Sequence, residues 1–268
     1  MKLLNRTNFF LAKHLYNARR PVLWASGGKD STVLLHLCRP WAKKMTILHG
    51  YKDDGWPGVT ELLKAHCVAW GYQDVQIIHP WLTFPAYVEQ YGWPVDVVPT
   101  ALEGGTAVAE SVYRTSHIRI ASWWHCTFVR GIYPLMLATA KHGADMVFTG
   151  SRLSDAPNNT MFQTEIAQRH PTGWQRFNPL SEWTSEDIWT YIETHTIDLP
   201  PHYRWKRSAT YEVPDCLSCT WQVEHWHMLK QHYPEEYARR WPTVEPVYAA
   251  LSKELVCQAQ QIQGMFCG

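Results

Sequence analysis

The chain has 268 residues, of which 46% are hydrophobic and 18% charged, and its formal net charge is +1. This composition excludes a disordered or low-complexity protein, and the charge balance gives no overall sign of a nucleic-acid or anionic-membrane partner. No apolar stretch reaches the roughly 20 residues of a membrane-spanning helix, and the first 20 residues lack the apolar centre of a signal peptide. Seven cysteines, an odd number, do not indicate a secreted disulfide framework, so we expect a cytoplasmic protein.

Strand-like and helical patterns alternate over the first 150 residues. The predicted strands are residues 21–25, 45–49, 75–79 and 146–149. The predicted helices are residues 1–20, 30–37, 59–70 and 129–142, and residues 81–115 are interpreted as a lid or insertion. This alternation predicts an α/β fold with a doubly wound, mainly parallel sheet, in which the loop after each strand lies at one edge.

The second part of the chain is predicted to be mostly helical. Its helices are placed at about residues 184–195, 221–233, 235–241 and 244–263, with a loop over 198–214. We therefore predict a nucleotide-binding α/β domain over residues 1–170. A C-terminal segment over residues 171–268 is expected to pack on it, although no distinct linker separates the two.

Residues 26–31, Ser-Gly-Gly-Lys-Asp-Ser, follow the first predicted strand and begin the next helix. Glycines permit a tight turn and a close approach of a ligand to the backbone, and the N–H groups at a helix start favour an anion. Ser26 and Ser31 add hydroxyl donors, and Lys29 adds a cation. The pattern predicts a phosphate-binding loop, with an ordinary glycine turn as the alternative.

Asp30 is unexpected in an anion site because its carboxylate repels phosphate. Two roles are predicted for it: capping the helix, or holding Mg²⁺ against the phosphates. The spacing G-x-x-x-x-G-K-[ST] of common kinases and GTPases is absent, which excludes those classes.

The loop resembles the PP-loop of the adenine nucleotide α-hydrolase-like superfamily, whose fold is Rossmann-like. Later segments narrow the resemblance to the PAPS reductase family, which acts on phosphoadenylyl or adenylyl sulfate. The segments that carry it, in order over residues 20–220, are Asp54-Gly55-Trp56-Pro57, Gly150-Ser151-Arg152-Leu153-Ser154-Asp155-Ala156, Asn178-Pro179-Leu180, Trp183, Asp187-Ile188-Trp189, Tyr191-Ile192, Pro201, Tyr203 and Cys216-Leu217-Ser218-Cys219-Thr220.

The resemblance implies a nucleotide site formed by the loop and by residues that follow two other strands. Its expected members are Ser26, Gly27, Gly28, Lys29, Asp30, Ser31, Asp54, Gly150 and Arg152. Lys29, Asp30 and Arg152 are also catalytic candidates. Two departures stand out: Asn158 or Asn159 replaces the family's second arginine, and the loop keeps the full form found in relatives that hydrolyse ATP.

Four residues are candidate metal ligands: His125, Cys126, Cys216 and Cys219. Spacing alone fits a structural zinc site. The resemblance implies instead a [4Fe–4S] cluster, because family members hold one with a Cys-Cys pair followed by C-x-x-C, and His125 stands at the place of the first cysteine. A zinc site and the absence of any metal are the two alternatives to the cluster. For His125, the alternative to a ligand role is an ordinary histidine of the core or of a loop.

The resemblance also implies a catalytic thiol near the C-terminus. Cys267 matches by position the cysteine with which PAPS reductases attack the sulfonate, although the longer tail motif is missing. The alternative is a terminus without function. Cys257 is a weaker candidate, and Cys38 and Cys67 are expected to be small core residues.

Three functions follow as hypotheses. The first is an oxidoreductase that reduces (phospho)adenylyl sulfate to sulfite and AMP or its 3′-phosphate, with a thioredoxin-like reductant as partner. The second is an ATP pyrophosphatase that activates a nucleic acid or another acceptor for iron–sulfur-dependent sulfur insertion, with Mg²⁺ as cofactor. The third is a nucleotide sensor without catalysis.

Overall fold

A computed structural model describes residues 2–95, 120–155, 166–207, 214–220 and 222–266. Six strands longer than two residues are present in this part of the chain: β1 (Pro21–Ala25), β2 (Thr46–Gly50), β3 (Asp74–Ile78), β4 (Met146–Thr149), β5 (Ile166–Arg169) and β6 (Gln175–Phe177). The α-helices are α1 (Lys2–Asn17), α2 (Lys29–Leu37), α3 (Val59–Ala69), α4 (Phe84–Tyr91), α5 (Trp123–Thr127), α6 (Tyr133–His142), α7 (Ser185–Thr194), α8 (Tyr203–Lys206), α9 (Val223–His232) and α10 (Pro234–Phe266).

The chain divides into two compact units, and each of them contains two separate stretches of sequence. Unit 1 comprises Met1–Pro80 and Gly131–Arg204, and unit 2 comprises Trp81–Arg130 and Trp205–Gly268. The predicted boundary at residue 170 lies inside unit 1. The region predicted to be a lid or insertion begins where unit 2 begins, and α4 forms within it.

Unit 1 is built on a six-stranded sheet of order β3-β2-β1-β4-β6-β5. The first five strands in this order are parallel, and β5 pairs with β6 in the antiparallel direction. Leu23 of β1 lies between Ile47 of β2 and Phe148 of β4. Strand order therefore changes direction at β1, which confirms the predicted doubly wound, mainly parallel sheet.

Alternate residues of each strand face opposite layers of helices. Leu23, Ile47 and Phe148 join the core formed with α1, α2, α3 and α7. The adjacent strand residues Val22 and Leu48 face a second core, which α6 covers. Both faces of the sheet are thus covered, and its functional groups are confined to the strand ends and the loops that follow them.

The C-terminal prediction is correct in its helical character and wrong in one detail. Residues 234–266 form one continuous helix, although Pro242 and Pro246 lie inside it. Each proline leaves one carbonyl four residues earlier without its helical donor. Those carbonyls belong to the exposed residues Ala238 and Pro242, where water can replace the missing donor. Val247 and Leu251, just after the second proline, pack in one core cluster with Val95.

A buried histidine in unit 1 gives a stability prediction. Nδ1 of His36 lies 2.8 Å from Oη of Tyr191, and burial, followed by the nearby Arg39, lowers the pKa of His36 from 6.5 to about 4. The folded state therefore binds fewer protons than the unfolded state between these pH values. The contribution of His36 is full above pH 6.5 and is lost as the pH falls toward 4.

We expect the wild type to lose about 2–3 kcal/mol more than the His36→Gln variant on going from pH 7.5 to 4.5. Urea unfolding of both proteins at the two pH values measures this difference. Equal losses in the two proteins would show that His36 does not contribute to the acid sensitivity.

Candidate functional site

The glycine turn of the predicted phosphate loop lies between the carboxyl end of β1 and the start of α2. Gly27 has a φ of +84°, and a Cβ there would lie 2.4 Å from Cγ1 of Val59 at the start of α3. A side chain would be strained by its own backbone and blocked by α3. Glycine is therefore required at this position by both conformation and space.

The two serine hydroxyls of the loop hydrogen-bond within it. Ser31 Oγ accepts from the N–H of Gly27 at 3.2 Å and donates to the carbonyl of Gly28 at 3.0 Å. Ser26 Oγ accepts from the N–H of Gly28 at 3.2 Å. The hydroxyls thus stabilise the shape of the turn before any ligand binds.

Asp30 lies between two cations. Its Oδ2 accepts a hydrogen bond from Nζ of Lys29 at 2.8 Å, and its Oδ1 lies 2.8 Å from Nε of Arg152 in an ion pair. Lys29 and Arg152 are buried. The N-cap residue of α2 is Gly28, and none of the described side chains caps the helix there. The prediction that Asp30 caps α2 is therefore wrong. Its carboxylate instead pairs with two cations at the start of the helix.

The charge of this group suits an anionic ligand. One carboxylate between two cations leaves a net positive charge of one, and the N-terminus of α2 adds its partial positive charge. Arg152 has a planar guanidinium that can bind two phosphate oxygens at once. The arrangement can therefore hold a phosphate or sulfate group, and a developing negative charge, at the carboxyl edge of the sheet.

Gly150 allows Arg152 to reach this place. It follows the last residue of β4, and a Cβ on it would lie 2.9 Å from the backbone C of Asp30 and N of Ser31. Backbone atoms of a helix cannot rotate away as a side chain can. Glycine thus lets the loop after β4 pack directly on α2, and the structure brings together Lys29, Asp30, Gly150 and Arg152 as the sequence predicts.

Residues 26–31 are also contacted by a tyrosine that was not among the predicted site residues. Oη of Tyr203 accepts a hydrogen bond from the N–H of Lys29 at 3.0 Å, and Tyr203 is buried. The neighbouring His202 stacks on Trp56, with ring centroids 4.6 Å apart. Asp54 is buried in the same loop after β2. Tyr203 belongs to the motif that suggested the family, but nothing in its local pattern indicates a contact 174 residues away.

Two cysteines of unit 1 lie in its core, as predicted. Cys38 and Cys67 are fully buried, and burial raises the pKa of both thiols, that of Cys67 to about 12. A thiol of this kind is not ionised near neutral pH and is not a nucleophile. Neither residue can supply thiolate chemistry to a nucleotide.

The four predicted metal ligands all belong to unit 2. Nδ1 of His125 lies 2.7 Å from Oη of Tyr87, and Nη1 of Arg130 lies 3.9 Å from Sγ of Cys126. Cys216 and Cys219 flank a tight turn, in which the N–H of Cys219 donates to the carbonyl of Cys216.

Among the described residues, no group of three or more His, Cys, Asp or Glu side chains is placed to hold a metal ion. The geometry therefore does not present the four candidates as a formed metal centre, and the ligand set stays a prediction from the resemblance. Cys267, Asn158 and Asn159 lie outside the described residues. None of the described helices is both long and apolar enough to cross a membrane.

Comparison with known proteins identifies the family. The phosphoadenosine phosphosulfate reductase domain model matches residues 20–220. Sulfate adenylyltransferase subunit 2 of Rhizobium meliloti (strain 1021) is 26% identical over 211 residues, which cover 72% of this chain and 60% of that protein. Phosphoadenosine 5′-phosphosulfate reductase of Xylella fastidiosa (strain M23) is 38% identical over 60 residues, covering 22% of this chain and 23% of that protein.

A solved structure agrees on the fold. The phosphoadenylyl-sulfate reductase of Candida auris, in its phosphate complex, aligns with a TM-score of 0.51 at 15% sequence identity, covering 78% of this chain and 87% of that one. The first curated relatives are longer proteins, and the chain spans about 60% of their length. Since the family model covers most of the sequence, the chain belongs to the phosphoadenosine phosphosulfate reductase domain family.

Proposed function

We propose that the chain binds an adenine nucleotide with its phosphates against residues 26–31 and acts at the α-phosphoryl group as an enzyme of sulfur metabolism. The observation that carries this proposal is the pair of buried cations, Lys29 and Arg152, held by Asp30 at the start of α2. Family membership and the names of the relatives support the choice of nucleotide.

Adenylyl transfer from ATP is the reaction that the geometry supports best. An oxygen of the acceptor attacks the α-phosphorus, and the bond from that phosphorus to the bridging oxygen breaks. Pyrophosphate leaves with the electron pair, and its growing charge is stabilised by Lys29 and Arg152. The reaction needs no thiol, which agrees with the burial of both cysteines in unit 1. Sulfate is the acceptor that the names of the longer matches suggest, and an oxygen of a nucleic acid is the alternative acceptor.

Reduction of adenylyl sulfate or its 3′-phosphate is the second candidate, favoured by the family model and by the match to a reductase. Here a thiolate attacks the sulfur atom, forms a thiosulfonate and expels AMP or its 3′-phosphate. One thiol of a thioredoxin-type dithiol then attacks the cysteine sulfur of the thiosulfonate, and sulfite leaves with the electron pair of the broken S–S bond. The second thiol attacks the resulting mixed disulfide, which frees the cysteine and leaves the dithiol oxidised to a disulfide. Cys267 is the proposed nucleophile.

Product analysis separates the two reactions. We expect the purified chain to release pyrophosphate from ATP in the presence of sulfate, and Arg152→Leu to abolish the release. Sulfite release from adenylyl sulfate with a dithiol, lost in Cys267→Ser and kept in Cys257→Ser, would instead establish the reductase. If the chain binds ATP and adenylyl sulfate but releases neither pyrophosphate nor sulfite, the proposed catalysis is contradicted. The nucleotide sensor is then the remaining hypothesis.

The cluster prediction has its own test. If Cys126, Cys216 and Cys219 hold a [4Fe–4S] cluster, anaerobically purified protein contains iron and sulfide and has the broad visible absorbance of thiolate-bound iron. Both signals are then lost in Cys216→Ser and kept in Cys67→Ser, because Cys67 is a core residue. Zinc without sulfide would support a structural zinc site instead. Protein without any bound metal would contradict the prediction that these residues are metal ligands.

A further inference from the structure

Charge is distributed very unevenly along this nearly neutral chain. Residues 1–44 contain nine of the 25 Lys and Arg residues but one of the 24 Asp and Glu residues, so this segment carries a charge of +8 and the remainder −7. The single carboxylate is Asp30, which is paired with Lys29 and Arg152. Apart from Lys29, the cations of this segment are exposed.

Helix α1 presents cations and aromatic rings along one exposed stripe. Lys2, Phe9 and Tyr16 follow one another at intervals of seven residues, and Lys13 lies beside them on the same face. Phe9 is 72% exposed and Tyr16 is 80% exposed. The opposite face of α1 packs into the core through Leu11 and Leu15, so the stripe is fixed in place. Arg6 also borders it but is paired with Glu182.

The stripe continues onto the amino-terminal edge of the sheet. The pairing of Val22 with Thr46 places Arg20 beside Lys44, each two residues before a strand residue of this pair. Nζ of Lys44 donates to the carbonyls of Leu15 and Tyr16 at 2.9 and 3.1 Å, which joins this edge to the end of α1. We call the resulting surface the basic face; its members are Lys2, Phe9, Lys13, Tyr16, Arg19, Arg20, Lys43 and Lys44.

The carboxylates at this edge do not pair with the side chains of the basic face in the described structure. Asp145 accepts hydrogen bonds from the backbone N–H groups of Arg19 and Arg20 at 2.7 and 2.9 Å. Asp74 accepts from Thr46 at 2.7 Å. Asp145 lowers the local charge by one, and the face keeps an excess of cations.

We propose that the basic face binds single-stranded nucleic acid. Its cations contact phosphates, and Phe9 and Tyr16, about 10 Å apart along the helix, stack on bases. An acidic protein or a nucleic-acid duplex would contact the cations, but it would not offer unpaired bases to stack on the exposed rings of Phe9 and Tyr16. The face lies at the amino ends of β1 and β2, whereas residues 26–31 lie at the carboxyl end of β1, so the proposal is independent of the nucleotide site.

Fluorescence anisotropy with a labelled oligo-dT strand of about 20 nucleotides tests this proposal. We expect binding that weakens with salt, and a Lys13→Gln/Lys43→Gln variant that lowers the slope of log affinity against log salt by about 1.4, since each contact contributes about 0.7 on single strands. The control Lys64→Gln/Lys253→Gln removes two exposed lysines elsewhere and leaves the slope unchanged. Phe9→Ser/Tyr16→Ser weakens binding at least about fivefold at an unchanged slope.

Three results would overturn the proposal. These are no binding of the strand at low salt, equal losses in the two lysine variants, and competition by poly-glutamate or by the matching duplex as strong as that by the unlabelled strand. Thermal unfolding of each variant confirms that it is folded, because all four substituted positions of the basic face are exposed. Failure of this experiment leaves the pyrophosphate assay unaffected.

Discussion

Gly150→Ala is expected to weaken nucleotide binding by about a hundredfold. The new Cβ would lie 2.9 Å from two backbone atoms of α2, so the loop after β4 must move away and take Arg152 with it. Arg152 would then lose its charge-assisted hydrogen bonds to phosphate, which are worth up to about 3 kcal/mol, or roughly a hundredfold in affinity. The overpacking itself lowers the free energy of unfolding by about 1–3 kcal/mol.

Calorimetric titration of the variant with ATP and with AMP measures this loss, and urea unfolding measures the stability. Gly71→Ala is the matched control: Gly71 has a φ of +83°, and no atom in the described part of the chain lies within 4 Å of an added Cβ. This control loses about 1–2 kcal/mol of stability through backbone strain and keeps its nucleotide affinity. Wild-type affinity in Gly150→Ala would contradict the placement of Arg152 in the site.

Asp30→Asn should destabilise the free protein and strengthen phosphate binding. Removing the carboxylate leaves Lys29 and Arg152 buried without their shared counter-charge, which we expect to cost roughly 2–3 kcal/mol of unfolding free energy. The same change raises the positive charge of the site. Inorganic pyrophosphate should therefore bind about tenfold more tightly and restore more stability to the variant than to the wild type.

Thermal unfolding with increasing pyrophosphate, with and without Mg²⁺, distinguishes two roles of Asp30: pairing with Lys29 and Arg152, and the predicted binding of Mg²⁺. If Asp30 served chiefly to hold Mg²⁺, the variant would instead lose the Mg²⁺-dependent part of binding, without a gain in its absence. Glu61→Gln, an exposed substitution in the first turn of α3, is the control for the removal of one negative charge near the same edge.

The order of elements around the loop was predictable because it depends on local pattern. An apolar run, two glycines and a helical stretch specify β1, the turn and α2 within 17 residues, and the structure has β1 at the predicted bounds. The short strands β5 and β6 were missed. They contain three or four residues each and, unlike the equally short β4, have no continuous apolar run: β5 is Ile-Ala-Gln-Arg and β6 is Gln-Arg-Phe.

Contacts between distant residues were predictable only where a motif had already linked them. Gly150 and Arg152 follow the fourth predicted strand, and a parallel sheet brings such loops to one edge. Tyr203 had no comparable signal, because its hydroxyl reaches Lys29 from a short helix that the loop composition concealed. The four metal candidates share a unit, but spacing along the chain does not determine whether their donor atoms converge.

By itself, the sequence determined the type and order of the main elements, the glycine turn and the excess of cations in its first 44 residues, since these depend on neighbours along the chain. Tertiary structure alone decided that Asp30 bridges Lys29 and Arg152, that the C-terminal helix continues through two prolines, and that the cations flank exposed rings. The reason is that side-chain pairing and burial depend on which elements the sheet order and the core bring together. The local periodicity of the sequence does not specify these contacts between distant elements.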